Sequence, residues 1–261
     1  MIILMHSSKT MRVPASSIRP SGVPVLMDRA SELVGYLRTL TRQQLAKIMT
    51  ISAEMAAKTQ EQYANWTTEP KRQAPAAATF VGDIYSGLQI DAFTRADQAY
   101  ADAHLRILSG LYGILRPFDG ICQYRLEMGY KLPRGRYASL YQFWGDAIAR
   151  QLPASGRIVN LAANEYSKAV LPHVEPERVV TPRFLTIDPA SKKPKFIVVH
   201  AKIARGAFAR WLVSGRVTGT PATIRRFADI GYAYDDELST PGEPTFVCQE
   251  FGGKGLSVRL T

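Results

Sequence analysis

Residues 105–129 read LRILSGLYGILRPFDGICQYRLEMG. The apolar run over 106–111 predicts a buried strand, and Arg116-Pro117 ends the segment after it. Beyond the proline, Tyr124, Leu126 and Met128 alternate with Arg125 and Glu127, which predicts a half-buried strand with two opposite charges on one face. Charge held at the edge of a buried element is where sites are commonly built. Arg125 and Glu127 either pair with each other or face a ligand that has both a donor and an acceptor edge.

Moving outward towards the N-terminus, Thr94-Arg95-Ala96-Asp97 is a capping-box start and opens a helix through about His104. In FVGDIYSGL (80–88), two glycines flank an acid and a tyrosine, predicting a backbone bend that presents Asp83 and Tyr85. Asp83 suits a general base, a sugar-hydroxyl acceptor or a helix cap. Residues 67–78 read as a connection. The opening apolar run, Ile2 to Met5, predicts a strand running into His6-Ser7-Ser8-Lys9-Thr10. Ligands favour the carboxyl ends of strands in such sheets, so Lys9 is a candidate contact.

After a proline-rich loop over 13–24, Leu26, Ala30, Leu33, Val34, Leu37 and Leu40 recur at helical spacing. Thr41-Arg42-Gln43-Gln44 fits a second capping box. It opens a helix that sends Leu45, Ile48, Met49, Ser52 and Met55 to the core. Thr41, Arg42, Gln43 and Lys47 at this helical hairpin are candidate phosphate contacts through amides at a helix start. The turn has no glycine to let a backbone approach closely, which favours an ordinary αα corner over a phosphate-docking hairpin.

Towards the C-terminus, 131–136 is a basic turn and 139–152 a helix. Residues 157–163 form a core strand with Asn164, Glu165, Tyr166 and Lys168 at its carboxyl end. Strands over 178–187 and 195–201 make a hairpin with a basic tip. The helix over 202–214 begins with Lys202 and Arg205 on one face, a candidate anion site. A short helix over 223–229, a last strand over 245–251 and a loose glycine-rich tail complete the chain.

A net charge of +11 over 261 residues attracts polyanions such as nucleic acid or phosphorylated metabolites. No apolar run reaches the ~18 residues of a membrane span, and the start reads as a strand rather than a signal peptide. Two cysteines, Cys122 and Cys248, fit a reducing cytoplasm and no disulfide framework. There is no P-loop, zinc spacing or nucleophile elbow, and the four histidines are scattered. No metal site is expected, no cofactor is indicated, and the oligomeric state is left open. One domain over 1–252 with a tail over 253–261 is expected.

The pieces SSKT (7–10), VGDIYSGL (81–88), HLRILSGLYGILRPFDGICQYRLEMG (104–129), LYQFWGDAI (140–148), VNLAANEY (159–166) and HAKIARGAFARWL (200–212) together resemble the peroxide stress protein YaaA family. The resemblance spans nearly the whole chain. It implies a single compact α/β (mixed α+β) fold, a mixed sheet flanked by helices with a basic cleft and a helix-hairpin-helix element. It also implies a cytoplasmic protein tied to oxidative stress and iron handling that binds double-stranded DNA. On this chain the hairpin is the helix pair around Thr41, and the cleft draws on Lys9, Arg116, Arg125, Lys202 and Arg205. His6-Ser7-Ser8, Gln123 and Asn164 depart from the family's usual residues.

Three readings stand at this level. The first is a protein that binds double-stranded nucleic acid or another polyanion in a basic cleft. The second is an enzyme acting on a nucleotide, nucleobase or other phosphorylated small molecule. There Lys9, Asp83 and Glu127 are the catalytic groups, and Tyr85, Arg116, Arg125, Glu165, Lys202 and Arg205 bind. In the third the polar cluster is an internal salt-bridge network.

Overall fold

The computed structural model describes residues 1–14, 18–133 and 137–256; parts of the 13–24 loop, the basic turn over 131–136 and the C-terminal tail lie outside these. The first strand, β1 (Ile2–His6), is buried along its whole length, and β2 (Thr10–Met11) follows the Lys9 loop. Helix α1 (Met27–Arg38) buries Ala30, Leu33, Val34 and Leu37, the face set by the apolar spacing. Thr41 closes its capping box with Gln44 and opens α2 (Arg42–Met49). That helix does not continue to Met55. Thr50 turns left-handed at φ 52°, and Ser52 caps a separate helix, α3 (Ala53–Asn65). Ser52 and Met55 are therefore exposed and not core.

The expected connection over 67–78 contains β3 (Ala74–Pro75) and most of α4 (Ala76–Thr79). Next come β4 (Phe80–Val81), α5 (Asp83–Leu88) and α6 (Arg95–His104), the last opened by the Thr94 capping box. The central stretch supplies β5 (Leu105–Ser109), β6 (Gly113–Leu115) and β7 (Gly120–Ile121). Helix α7 (Leu140–Trp144) is shorter than the helical pattern over 139–152, because Gly145 breaks it at φ 51°, ψ −128°. The rest of the chain gives β8 (Ile158–Asn160), α8 (Asn164–Ser167), β9 (Val179–Val180), β10 (Arg183–Ile187), β11 (Pro194–Lys195), α9 (Val198–Ser214), α10 (Pro221–Ile224), β12 (Tyr232–Asp235) and β13 (Thr245–Cys248). In place of the helix expected over 223–229, α10 begins at Pro221 and ends at Ile224.

Two of the expected strands are corrected. Over 124–129 burial alternates as predicted, with Tyr124, Leu126 and Met128 inside, but the segment joins no sheet. It lies on the turn after β5 so closely that a Cβ on Gly110 would stand 2.5 Å from the Leu126 carbonyl oxygen. The Tyr63 hydroxyl donates to the Arg125 carbonyl and satisfies part of its backbone. Over 195–201 only Lys195 extends the hairpin, and α9 begins at Val198. Ala201, Ala204, Gly206 and Ala207 make this helix slim on its buried side, where it packs on α5.

The main sheet has the order β6-β5-β1-β8-β9. Strand β1 is parallel to β5 and β8, so the carboxyl ends of all three lie at one edge. A second sheet, β11-β10-β13-β12, is separate. Two short ribbons, β2–β4 and β3–β7, tie the loops after β1 and β6 to the 74–81 region. The fold is thus a mixed α/β architecture.

Candidate functional site

A cavity of about 420 Å³ opens at the carboxyl ends of β1 and β8. Its charged lining is Lys9, Asp83, Glu127, Glu165 and Lys202, five residues from five parts of the chain. Lys9 comes from the loop after β1, and its Nζ lies 2.8 Å from Glu127 Oε2. Glu127 projects from the irregular 124–129 segment. Glu165 sits in α8, and one of its oxygens accepts the Gly129 N–H at 2.8 Å, pinning the end of that segment. The carbonyl of Glu165 in turn accepts from the Tyr141 hydroxyl at 2.8 Å. Asp83 is the first residue of α5 and is buried; Gly82 before it has φ 148°, which admits the turn from β4. Lys202 stands in the early part of α9.

Beneath these charges the floor is neutral. His6 is buried, and its Nδ1 accepts the Ala163 N–H at 3.2 Å. Burial first, then the positive charges of Arg205 and Lys202, push its pKa down from 6.5 to about 3, so the imidazole is uncharged. The Ser7 hydroxyl donates to the Tyr166 hydroxyl at 3.3 Å. Tyr124 and Ser109 share a hydrogen bond of 2.7 Å, and burial pushes the Tyr124 phenol up to about 12. The Tyr85 hydroxyl donates to the His6 carbonyl at 2.8 Å.

The cavity is not basic. Two lysines face three carboxylates, and His6 adds no charge. The hydrogen bond and the charge of Glu127 raise the Lys9 pKa above its ordinary value, despite partial desolvation. Lys9 is therefore an ammonium at neutral pH, suited to clamp a polar group electrostatically and unsuited, in this state, to act as a nucleophile.

The other residues singled out in the sequence lie elsewhere. Tyr85 is buried behind the cavity as a support for β1. Arg205 is largely buried and acts on the site only as a positive neighbour of His6. Arg116 is on another face, 3.6 Å from Asp102. Arg125 does not line the cavity and does not pair with Glu127; it bonds to the Tyr130 hydroxyl, and its Nε is buried with no partner. Thr41, Gln43 and Lys47 line a separate hollow with Tyr36 and Pro133, while Arg42 donates to Gln60 at 2.9 Å. The sequence placed His6, Ser7 and Tyr166 beside strand ends but gave none of them a role, and all three line the cavity. Their signal was position: His6 and Ser7 follow the predicted first strand directly, and Tyr166 lies three residues beyond the predicted 157–163 strand, in α8. Among the described residues no group of three or more His, Cys, Asp or Glu is arranged to hold a metal ion. None of the described helices is long and apolar enough to cross a membrane.

Order, topology and the strand-end cavity define a mixed α/β protein whose polar cluster is assembled from most of its length. Residues 1–238 match the family described as peroxide stress protein YaaA, and the chain belongs to that family. It is 60% identical over 259 residues to a UPF0246 protein of Salinispora tropica, covering 99% of this chain and 98% of that one. A UPF0246 protein of Burkholderia lata is 39% identical over 250 residues, with coverage of 92% and 95%. One from Burkholderia thailandensis is 38% identical over 264 residues, with coverage of 97% and 100%.

Proposed function

We propose that the cavity binds a nucleobase or a small nucleobase-bearing molecule, and that this recognition is the chain's part in the peroxide-stress role carried by its family's name. The observation behind this reading is the Lys9–Glu127 pair facing Asp83, Glu165 and Lys202 across one small cavity. A base edge presents donors and acceptors side by side. Carboxylates accept from ring and exocyclic N–H groups, and ammonium groups donate to carbonyl oxygens and ring nitrogens. Three carboxylates disfavour a phosphate in the same space. If chemistry follows binding, Asp83 and Glu127 are the proton-moving groups and Lys9 is the electrostatic clamp. A cytoplasmic setting belongs to the same proposal and rests on Cys122 and Cys248 as free thiols.

Titration calorimetry of the whole chain against adenosine, guanosine, cytidine and uridine tests it. At least one nucleoside binds the wild type and is weakened by both Lys9→Ala and Glu127→Gln. Absence of binding to all four, or equal binding by the variants, overturns the reading.

A second reading, contact with double-stranded nucleic acid along the helical hairpin, is favoured by the net charge of +11, by exposed Gln43 in the first turn of α2 and by exposed Lys47 in its last turn. Its test is anisotropy of a labelled duplex. Affinity falls linearly with salt on logarithmic axes, and Lys47→Glu weakens it, if the hairpin carries the contact.

A further inference from the structure

The positive charge that the strand-end cavity lacks is gathered close by. A hollow of about 520 Å³ is lined by Arg12, Lys58, Lys71 and Arg72, with Glu61 as its one acidic residue. Lys58 and Glu61, with Gln62 and Asn65, recur at helical spacing on one face of α3. Lys71 and Arg72 come from the 3-10 turn Pro70–Arg72, and Arg72 donates to the Asn65 carbonyl at 3.4 Å, which holds the turn against α3. Arg12 follows β2 and stands 4.0 Å from exposed Asp91, a weak surface pair. Among the described residues Lys58 and Lys71 make no ion pair. Four cations around one hollow repel one another, and a multivalent anion relieves that repulsion. Gln62, Asn65 and Gln73 add amide groups to the same lining.

We infer that this hollow is a second binding site, for a ligand carrying consecutive phosphate groups. The ribbon β2–β4 separates it from the first cavity. Thr10 and Val81, paired in register, line the first cavity; Arg12, whose N–H donates to the Thr79 carbonyl at 2.9 Å, and Thr79 line the second. The second hollow has its own residues and its own charge, so it binds phosphates whether or not the first cavity takes a nucleobase.

The test uses inorganic triphosphate as the probe and calorimetry of the whole chain at low ionic strength. The wild type binds, and Lys58→Ala/Lys71→Ala weakens binding about tenfold or more. The control Lys192→Ala/Lys193→Ala removes the same charge from an exposed turn and leaves affinity nearly unchanged. Cys122 lines the hollow while Cys248 is fully buried, so maleimide labelling of the native protein reads Cys122 alone. Triphosphate slows that labelling in the wild type and does not in Lys58→Ala/Lys71→Ala. A short single-stranded oligothymidylate run in parallel separates the two sources of such phosphates. Tighter binding of the oligonucleotide marks a phosphodiester backbone, and tighter binding of triphosphate marks a free oligophosphate. No binding of either probe, equal loss in the control pair, or unchanged labelling at saturating probe overturns the inference.

Discussion

Gly87 and Gly206 cross backbone to backbone: a Cβ on Gly206 would overlap the carbonyl oxygen of Ile84, and one on Gly87 would overlap that of Ile203. No side chain fits between α5 and α9 at this crossing. The contact fixes two helices that each carry a cavity residue, Asp83 on α5 and Lys202 on α9. Gly206→Ala should cost about 3 kcal/mol, at the upper part of the range for overpacking, and should weaken any ligand of the cavity. Gly35→Ala, in α1 with open space around it, should stabilise by about 0.5–1 kcal/mol. Urea midpoints of the two variants against the wild type check both signs.

Glu127→Gln removes the charge that keeps Lys9 above its ordinary pKa. The Lys9 titration, followed by NMR of its side chain, should move down towards 10.5. In cells, Lys9→Ala and Glu127→Gln should impair survival of peroxide while Gln43→Glu/Lys47→Glu should not. The opposite pattern would favour the helical hairpin over the cavity.

His6 makes stability depend on pH. Its folded pKa of about 3 lies below the ordinary 6.5, so between those values the unfolded chain takes up a proton that the folded chain refuses. Stability is full above pH 6.5 and falls as pH drops, by about 1.4 kcal/mol per pH unit from this residue, until pH approaches 3. His6→Asn retains an acceptor for the Ala163 N–H and removes the titration. Its unfolding free energy should fall less steeply than that of the wild type between pH 6 and pH 4; parallel curves would show that His6 is not the source.

Tyr112→Phe should be more harmful than loss of one hydroxyl suggests. The Tyr112 oxygen accepts from Trp66 Nε1 at 2.7 Å and from the Cys122 N–H at 3.0 Å, and the residue is fully buried. Two donors lose their acceptor at once, at about 1–3 kcal/mol each. Chemical denaturation should register a loss of several kcal/mol, and Trp66 fluorescence should shift with it.

Much of the architecture was legible because local rules and packing agree. Ile2 to Met5, the 106–109 part of the 106–111 run and the Thr41 and Thr94 capping boxes became what their pattern predicts, while Gly110 and Leu111 fall in the turn after β5. Part of the cavity lining was legible through strand ends, which place Lys9 after β1 and Glu165 after β8, whereas Lys202 reaches it from within α9 and not from the end of the expected 195–201 strand. Failures came where a non-local contact decides. The alternation from Tyr124 to Met128 encodes burial but not pairing, and close contact at Gly110 puts the segment on a turn instead of a ladder. The Ile197-Val198-Val199 run suits a strand locally, yet α9 starts inside it because small residues downstream let the helix seat on α5. The sign of the cavity's charge was beyond reach for a different reason. A net charge of +11 does not say where it lies, and Arg12, Lys58, Lys71 and Arg72 surround a different hollow.

Strand β1 is central in its sheet, buried throughout, and ends at His6 on the cavity floor. Its amides therefore belong to the set that exchanges with solvent only when the whole molecule opens. A ligand seated against Ser7 and Lys9 has no separate, softer platform to rigidify. Its binding free energy should pass into global unfolding, slowing deuterium uptake along β1, β5 and β8 together.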